Sequence, residues 1–280
     1  MPHPVVIFGS GSRGNSMLVA GPRGRILLDM GFPQRRIVGH LRDEGLEPTD
    51  VDALLVTHTH GDHVGDSALK FCWRHHVPLV AARENLAVLR ARYRPVMGRL
   101  DRAGLLREMP PRGLEIKGLQ VRPFAVPHDA EGICLGYHVT IEPAHSDGTP
   151  VRVAATTDLG AVPPEVLQRL AEAEIVVLES NHDPDLLVAS GRPQPLVNRI
   201  AGPFGHLSNG AAAEAVAALL NRAEPGQVRT IVLAHLSRDC NDRSIALHCT
   251  RHALKGFDGP RPQVAAADQD APLTVALPAT

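Results

Sequence analysis

Apolar positions along this chain come mostly in short unbroken runs rather than long amphipathic stripes, and the runs read as buried strands. Val5-Val6-Ile7-Phe8 is the first. Ser16-Met17-Leu18-Val19 follows a glycine-rich turn, and Arg25-Ile26-Leu27-Leu28-Asp29 returns after the hairpin signal Gly21-Pro22-Arg23-Gly24. Residues 34–45 place Ile37, Leu41 and Leu46 near one face, which predicts a helix. Residues 52–56 form a strand that runs directly into a histidine cluster, and a helix is expected over about 66–76. A second round then begins, with strands predicted over 121–126, 133–141 and 151–156. Pro163-Pro164-Glu165 opens a helix to about residue 173, 175–179 is a strand, 209–220 an alanine-rich helix and 230–233 a last strand. Strands first and then helix, in two similar rounds, predict two sheets packed face to face with helices outside, not a doubly wound parallel sheet. Residues 1–257 are expected to form this single domain. From Asp258 onward the sequence is Ala/Pro-rich and aperiodic, so 258–280 is expected to be a disordered tail outside the fold.

Composition narrows the function classes. The 280 residues are 44% hydrophobic and 21% charged, with 29 basic against 30 acidic side chains and a formal net charge of −1. That balance excludes a disordered chain and a generic polyanion coat, which needs clustered Lys/Arg to displace counterions. Aromatic residues at 3% argue against broad base-stacking surfaces. The 4 cysteines form no C-x-x-C pair and read as reduced, buried small hydrophobes. The N-terminus has no basic region followed by a long apolar core, and no run of about 18 apolar residues occurs, so the expectation is a cytoplasmic protein without a membrane partner. The count that changes the picture is 15 His. If the chain binds metal, imidazole does it.

The sharpest motif is Thr57-His58-Thr59-His60-Gly61-Asp62-His63. On extended backbone, residues two apart point the same way, so His58 and His60 can share one cation. Gly61 lets the chain turn, so that Asp62 and His63 face a neighbouring point. Two ligand pairs aimed at two nearby points are what a dinuclear site requires.

With this H-x-H-x-D-H motif the chain resembles the metallo-β-lactamase-fold hydrolases, whose fold is a four-layer αββα sandwich. Further candidates follow apolar strands in order: His128 after Ala125-Val126-Pro127, Asp158 after Ala155-Thr156-Thr157, and His235 after Leu233-Ala234. The resemblance implies that His58, His60 and His128 hold a first metal, that Asp62, His63 and His235 hold a second, and that Asp158 bridges both. Nitrogen and oxygen ligands without thiolate suit zinc or manganese, and iron as well.

Five further segments, Gly9–Ser16, Leu27-Leu28-Asp29, Leu178–Asp183, Gly205–Asn209 and Ala234–Ser237, closely resemble the YycJ/WalJ group over about residues 5–255. That group is regarded as 5′→3′ exodeoxyribonucleases. The resemblance implies hydrolysis of a phosphodiester at a single-stranded DNA end, with hydroxide formed on two divalent metal ions as nucleophile and Asp62 helping to orient it. The Glu…Gly-His…His-x-Ser order is also similar to RNase Z-type enzymes, which implies His206 as general acid and Glu179 as its orienting partner. An imidazole titrates near neutral pH and suits that task; the alternative for His206 is a cap on the helix that starts near Ser208. Ser12, Asn15, His182, Ser208 and Asn209 are the candidates for substrate contact. Rival readings are an RNase Z-like or a small or cyclic phosphodiesterase and, in another reaction class, a thioester or lactam hydrolase with the same seven ligands.

Two remaining signals are weighed by context. Gly9-x-Gly11-x-x-Gly14 is a formal dinucleotide fingerprint, but it continues as strand where the fingerprint demands a helix, so it is set aside. Asp29 is read as a hydrogen-bonding residue beneath the site. Between Arg83 and Arg112 eight arginines stand against three acids, either a path for a nucleic-acid backbone or a solvated helix face. Eight histidines (His3, His40, His75, His76, His138, His145, His248 and His252) have no assigned task.

Overall fold

The computed structural model describes residues 4–142 and 148–276; His3 and His145 fall outside them. Among the described residues the apolar runs form fourteen strands in two seven-stranded sheets. The first sheet is built from β1 (Val5–Gly9), β2 (Ser16–Ala20), β3 (Arg25–Leu28), β4 (Ala53–Leu55), β5 (Leu79–Ala81) and β6 (Leu106–Glu108) in sequential order, with the last strand of the chain, β14 (Leu273–Val275), outside β1. The second contains β7 (Leu114–Ile116), β8 (Leu119–Ala125), β9 (Leu135–Ile141), β10 (Val151–Thr156), β11 (Ile175–Glu179), β12 (Thr230–Ala234) and β13 (Gln263–Ala266), again in sequential order.

Alternation along each strand builds the layers. Val5, Ile7, Val19, Ile26 and Leu55 meet Val121, Val139, Val153 and Val177 between the sheets. Their neighbours Val6, Phe8, Leu27 and Leu54 face outward under α1 (Gln34–Asp43), α2 (Asp66–His75), α3 (Arg83–Arg92) and α4 (Arg94–Arg102). On the other side Val176, Leu178, Ile231 and Leu233 pack under α5 (Pro164–Ala171) and α8 (Asn209–Arg222). Strands covered on both faces have no polar face to show, which is why they read as unbroken apolar runs. The result is the expected αββα sandwich. The glycine fingerprint leads into β2, which pairs antiparallel with β1 at Met17↔Ile7, so no helix opens there.

Two findings differ from the sequence reading. Residues 258–280 were expected to be a disordered tail, but β13 pairs parallel with β12 and β14 antiparallel with β1, so the described part of it, residues 258–276, joins the two sheets; 277–280 lie outside the described residues. Strand edges supply pairing that a short run with alanine and proline does not signal by itself. In between, Ser10 N–H donates to Asp268 O (2.9 Å), and Gln269 Nε2 donates to Leu236 O (3.0 Å). Second, two unassigned short helices, α6 (Pro184–Ala189) and α7 (Gln194–Ile200), lie between Glu179 and His206. They pack on a small cluster of their own, Leu187, Val197 and Cys240. Among the described residues the last α-helix, α9 (Arg243–Ala253), precedes β13.

Candidate metal centre

Strands β4, β8, β10, β11 and β12 deliver their following residues to one end of the sandwich, and all seven expected ligands meet there. His58, His60 and His128 bring one nitrogen each within 4.8 Å of one another, and Asp62, His63 and His235 do the same with one carboxylate oxygen and two nitrogens. Asp158 stands between the groups, 3.0 Å from His63 Nε2 and 3.9 Å from His128 Nε2.

The outer hydrogen bonds choose the ligating nitrogens. His63 Nδ1 donates to Asp29 Oδ2 (2.7 Å), His128 Nδ1 to Gly205 O (2.9 Å) and His235 Nδ1 to Glu179 Oε1 (2.8 Å). His58 Nδ1 lies 3.0 Å from Thr57 Oγ1. In each of these four rings the outer contact is made by Nδ1, so Nε2 faces the centre, the orientation that outer-shell partners give to metal-ligating imidazoles. His60 is the exception, presenting Nδ1 at 3.3 Å from His128 Nε2.

The donor set fits divalent cations. His58 Nε2 is buried with no hydrogen-bond partner among the described residues. Burial holds the His58 pKa well below its ordinary value, helped by the His63, His128 and His60 rings. A neutral imidazole with a free buried lone pair is a metal ligand in waiting. Asp158 stays ionised although burial opposes it, because His235 and His63 hold its pKa well below the carboxylate range. Asp158, His63 and His235 are all buried, so a cation among them would meet a carboxylate shielded from water.

The floor of the site is pinned from β3. Asp29 accepts from Thr57 N–H (2.8 Å), Thr57 Oγ1 (2.7 Å) and His63. The sequence reading placed Asp29 beneath the site, and it is there. Its backbone sits at φ 58°, and His235 sits at φ 53°, left-handed conformations that disfavour a side chain and persist where surroundings over-determine them. Gly31 is needed at the next step: a Cβ there would lie 1.8 Å from Asp62 O.

Glu179 and His206 complete the cluster. Glu179 is buried at the end of β11, and its Oε2 accepts from Leu159 N–H (2.9 Å) and Leu207 N–H (3.2 Å). Its Oε1 lies 2.7 Å from His206 Nδ1. Burial alone would lower the His206 pKa, but the Glu179 carboxylate outweighs it and raises it. The helix-cap alternative fails, because Ser208 Oγ caps α8 by accepting from Ala211 N–H.

The five candidates for substrate contact fare differently. Ser12 is exposed on the β1–β2 loop. Asn15 is buried, with Oδ1 accepting from Ser10 Oγ and Gly11 N–H and Nδ2 2.9 Å from His63 Nε2. Asn209 is buried in a network with Ser180 and Asn241, and Ser208 is spent on its cap. His182 is buried behind Glu179 and His206, its Nδ1 unpartnered among the described residues. Within the arginine-rich segment, Arg90 pairs with Asp101, Arg92 with Glu131, and Arg99 lies on the Trp73 ring. Three of its eight cations are thus engaged locally.

Sequence reasoning assigned no task to Ser10, Asn181 or Gln269. Ser10 Oγ accepts from His235 N–H (2.8 Å), and Asn181 Nδ2 donates to His235 O (2.8 Å), so both hold the strained backbone of that candidate ligand. Ser10 had a signal, inside the glycine run; Gln269 had none.

Fold and site together define a metallo-β-lactamase-fold hydrolase. Residues 24–235 match the family model described as β-lactamase superfamily domain, and the chain belongs to that family. It is 26% identical over 241 residues to the exodeoxyribonuclease WalJ of Streptococcus pneumoniae, covering 86% of this chain and 84% of that protein. It is also 26% identical over 254 residues to the exodeoxyribonuclease YycJ of Bacillus anthracis, covering 90% and 89%. Among solved structures, the metallo-β-lactamase-fold protein YhfI of Bacillus subtilis superposes with a TM-score of 0.65 over 97% of this chain and 98% of its own, at 14% identity, a likeness of fold. No helix among the described residues is long and apolar enough to cross a membrane.

Proposed function

We propose that this protein is a dinuclear-metal phosphodiesterase that removes nucleotides from a single-stranded DNA end in the 5′→3′ direction. The observation that carries the reading is the Glu179–His206 pair, 2.7 Å apart and next to the ligand His235. A phosphodiester's leaving oxygen departs as an alkoxide and needs a proton at that moment; the Glu179 carboxylate favours the protonated form of the imidazole that would supply it. The exodeoxyribonuclease names of relatives matched over most of their length support the same substrate class.

His58, His60 and His128 would hold one divalent cation, Asp62, His63 and His235 a second, with Asp158 shared, and zinc, manganese and iron all suit such donors. Bound there, the two cations would neutralise the scissile phosphate and acidify water. Asp62, whose side chain keeps 25% of its surface, accepts a hydrogen bond from the attacking water and so orients it. His206 donates its Nδ1 proton to Glu179, which leaves the Nε2 proton for the departing 3′-oxygen. The P–O3′ bond breaks as water adds to phosphorus, leaving a 3′-hydroxyl and a 5′-phosphate. Ser12 is the one exposed substrate-contact candidate of the five.

The test offers metal-loaded protein 5′-phosphorylated single-stranded DNA, the same sequence as RNA, and bis(p-nitrophenyl) phosphate, with metal content measured on the same sample. The expected result is two metals per chain and stepwise release of 5′-mononucleotides from DNA. Cleavage of the small diester alone, or preference for RNA, overturns the DNA reading.

A further inference from the structure

Four of the five large hydrophobic side chains left exposed among the described residues, Leu186, Val188, Leu196 and Phe204, lie in the segment between Glu179 and His206. The fifth, Trp73, carries the Arg99 guanidinium on its ring. Phe204 is 60% exposed, and its backbone is held on every side. Its carbonyl accepts from Asp129 N–H (2.9 Å), Gly205 N–H donates to Gly202 O (2.9 Å), and His206 N–H donates to Ile200 O (2.8 Å). A Cβ on Gly205 would lie 2.1 Å from Arg199 O, so the loop has no slack. An aromatic side chain is thus carried on a held backbone and left largely in water.

Its place is defined by its neighbours. Asp129 follows the ligand His128, and Phe204 precedes His206 by two residues, while the His128 and His206 rings stand 5.0 Å apart. The backbone of Phe204 is therefore tied to the residue after His128 and lies two residues before His206, which sets Phe204 beside the cleft that these two imidazoles share. A polymer with its scissile phosphate between them has to run a flanking nucleotide across that edge. The cation at hand, Arg199, is engaged by Asp129 in a bidentate pair, so the edge offers a π-face rather than charge for a phosphate.

We propose that Phe204 is a stacking platform for an unpaired nucleobase flanking the scissile phosphate. The inference rests on the nuclease reading above and specifies how that site selects its substrate. Stacking needs a free base face, which a duplex hides and a single strand presents, and it tolerates any base. One such platform agrees with a chain too poor in aromatic residues for a continuous stacking surface.

The experiment compares wild type, Phe204→Ala and Phe204→Trp, all metal-loaded, on three substrates. These are 5′-phosphorylated single-stranded DNA, the same strand with abasic sites at the nucleotides flanking the first scissile bond, and bis(p-nitrophenyl) phosphate. Phe204→Ala is expected to lose roughly tenfold in kcat/KM on normal DNA, the scale of one base–aromatic stack, and Phe204→Trp to retain activity. The abasic strand should cost wild type a similar factor and Phe204→Ala almost nothing more; the small diester should react equally with all three. A terminal 2-aminopurine on a phosphorothioate strand should be quenched on binding wild type and not on binding Phe204→Ala. Unchanged DNA cleavage by Phe204→Ala, equal losses on DNA and the small diester, or independent multiplication of the alanine and abasic penalties would each overturn the proposal. So would a loss of self-association in Phe204→Ala, which would make the ring a contact between copies. If wild type cleaves no DNA at all, it is the nuclease reading that fails.

Discussion

One oxygen of Glu179 serves two histidines. Its Oε1 lies 2.7 Å from His206 Nδ1 and 2.8 Å from His235 Nδ1, so the same buried carboxylate orients the ring proposed as a metal ligand and the proposed proton donor beside it. Burial works against its charge, and His206 and His235 together hold its pKa below the usual range all the same.

That sharing predicts a separable result. His206→Ala is expected to lower kcat on DNA by about 10²- to 10⁴-fold, the usual worth of a positioned general acid. On bis(p-nitrophenyl) phosphate the loss should be far smaller, because p-nitrophenolate leaves without a proton. Glu179→Gln should damage both substrates, since it also disturbs His235. Steady-state kinetics with both substrates, alongside metal analysis, check this; equal losses for His206→Ala on the two would remove its role as acid.

Gly31 gives a packing prediction. Asp62 O already accepts from Asn15 N–H (2.8 Å), and a Cβ on Gly31 would lie within 1.8 Å of it. Gly31→Ala must push the loop that carries Asp62 and His63, with an overpacking cost of about 1–3 kcal/mol. Denaturant unfolding should show that loss together with weaker retention of metal in a chelator titration. Wild-type behaviour in both would mean that the loop moves freely.

His138 gives a pH prediction. It is buried in β9 opposite Arg122 of β8 and Ala154 of β10, and its Nε2 is unpartnered among the described residues. Burial lowers its pKa, and Arg152, Arg169 and Arg122 add to that effect against Glu172. A histidine whose folded pKa is lowered takes up its proton more readily unfolded, so stability falls as pH drops below about 6.5, its unfolded value. His138→Leu should therefore lose less Tm than wild type between pH 7.5 and 5. Parallel curves for the two proteins would show that His138 is not part of the acid sensitivity.

The C-terminal segment gives a deletion prediction. Removing residues 259–280 takes away β13, β14 and the Gln269 contact to Leu236, next to His235. The shortened chain should lose cooperative unfolding and metal binding. Gln269→Ala, a milder change, should cost about 1 kcal/mol for its hydrogen bond. A truncated protein with wild-type Tm and activity would return these residues to the status of a tail.

The sequence by itself determined the layers and pointed to the candidate ligands. Runs such as 26–28, 53–56 and 231–234 are apolar without interruption because both faces of each strand are covered, and that pattern is local. His58, His60, Asp62 and His63 were legible because four donors fall within six residues at a strand end; His128, Asp158 and His235 became so through the family resemblance and their places after strands. Tertiary structure alone decided what surrounds them. Glu179 serving two rings, Ser10 and Asn181 holding His235 at φ 53°, and Gln269 reaching Leu236 across 33 residues join positions far apart in the chain. Such contacts leave no periodicity to read. The same holds for β13 and β14: a short segment with alanine and proline carries little strand signal, and the open edges of β12 and β1 made it one.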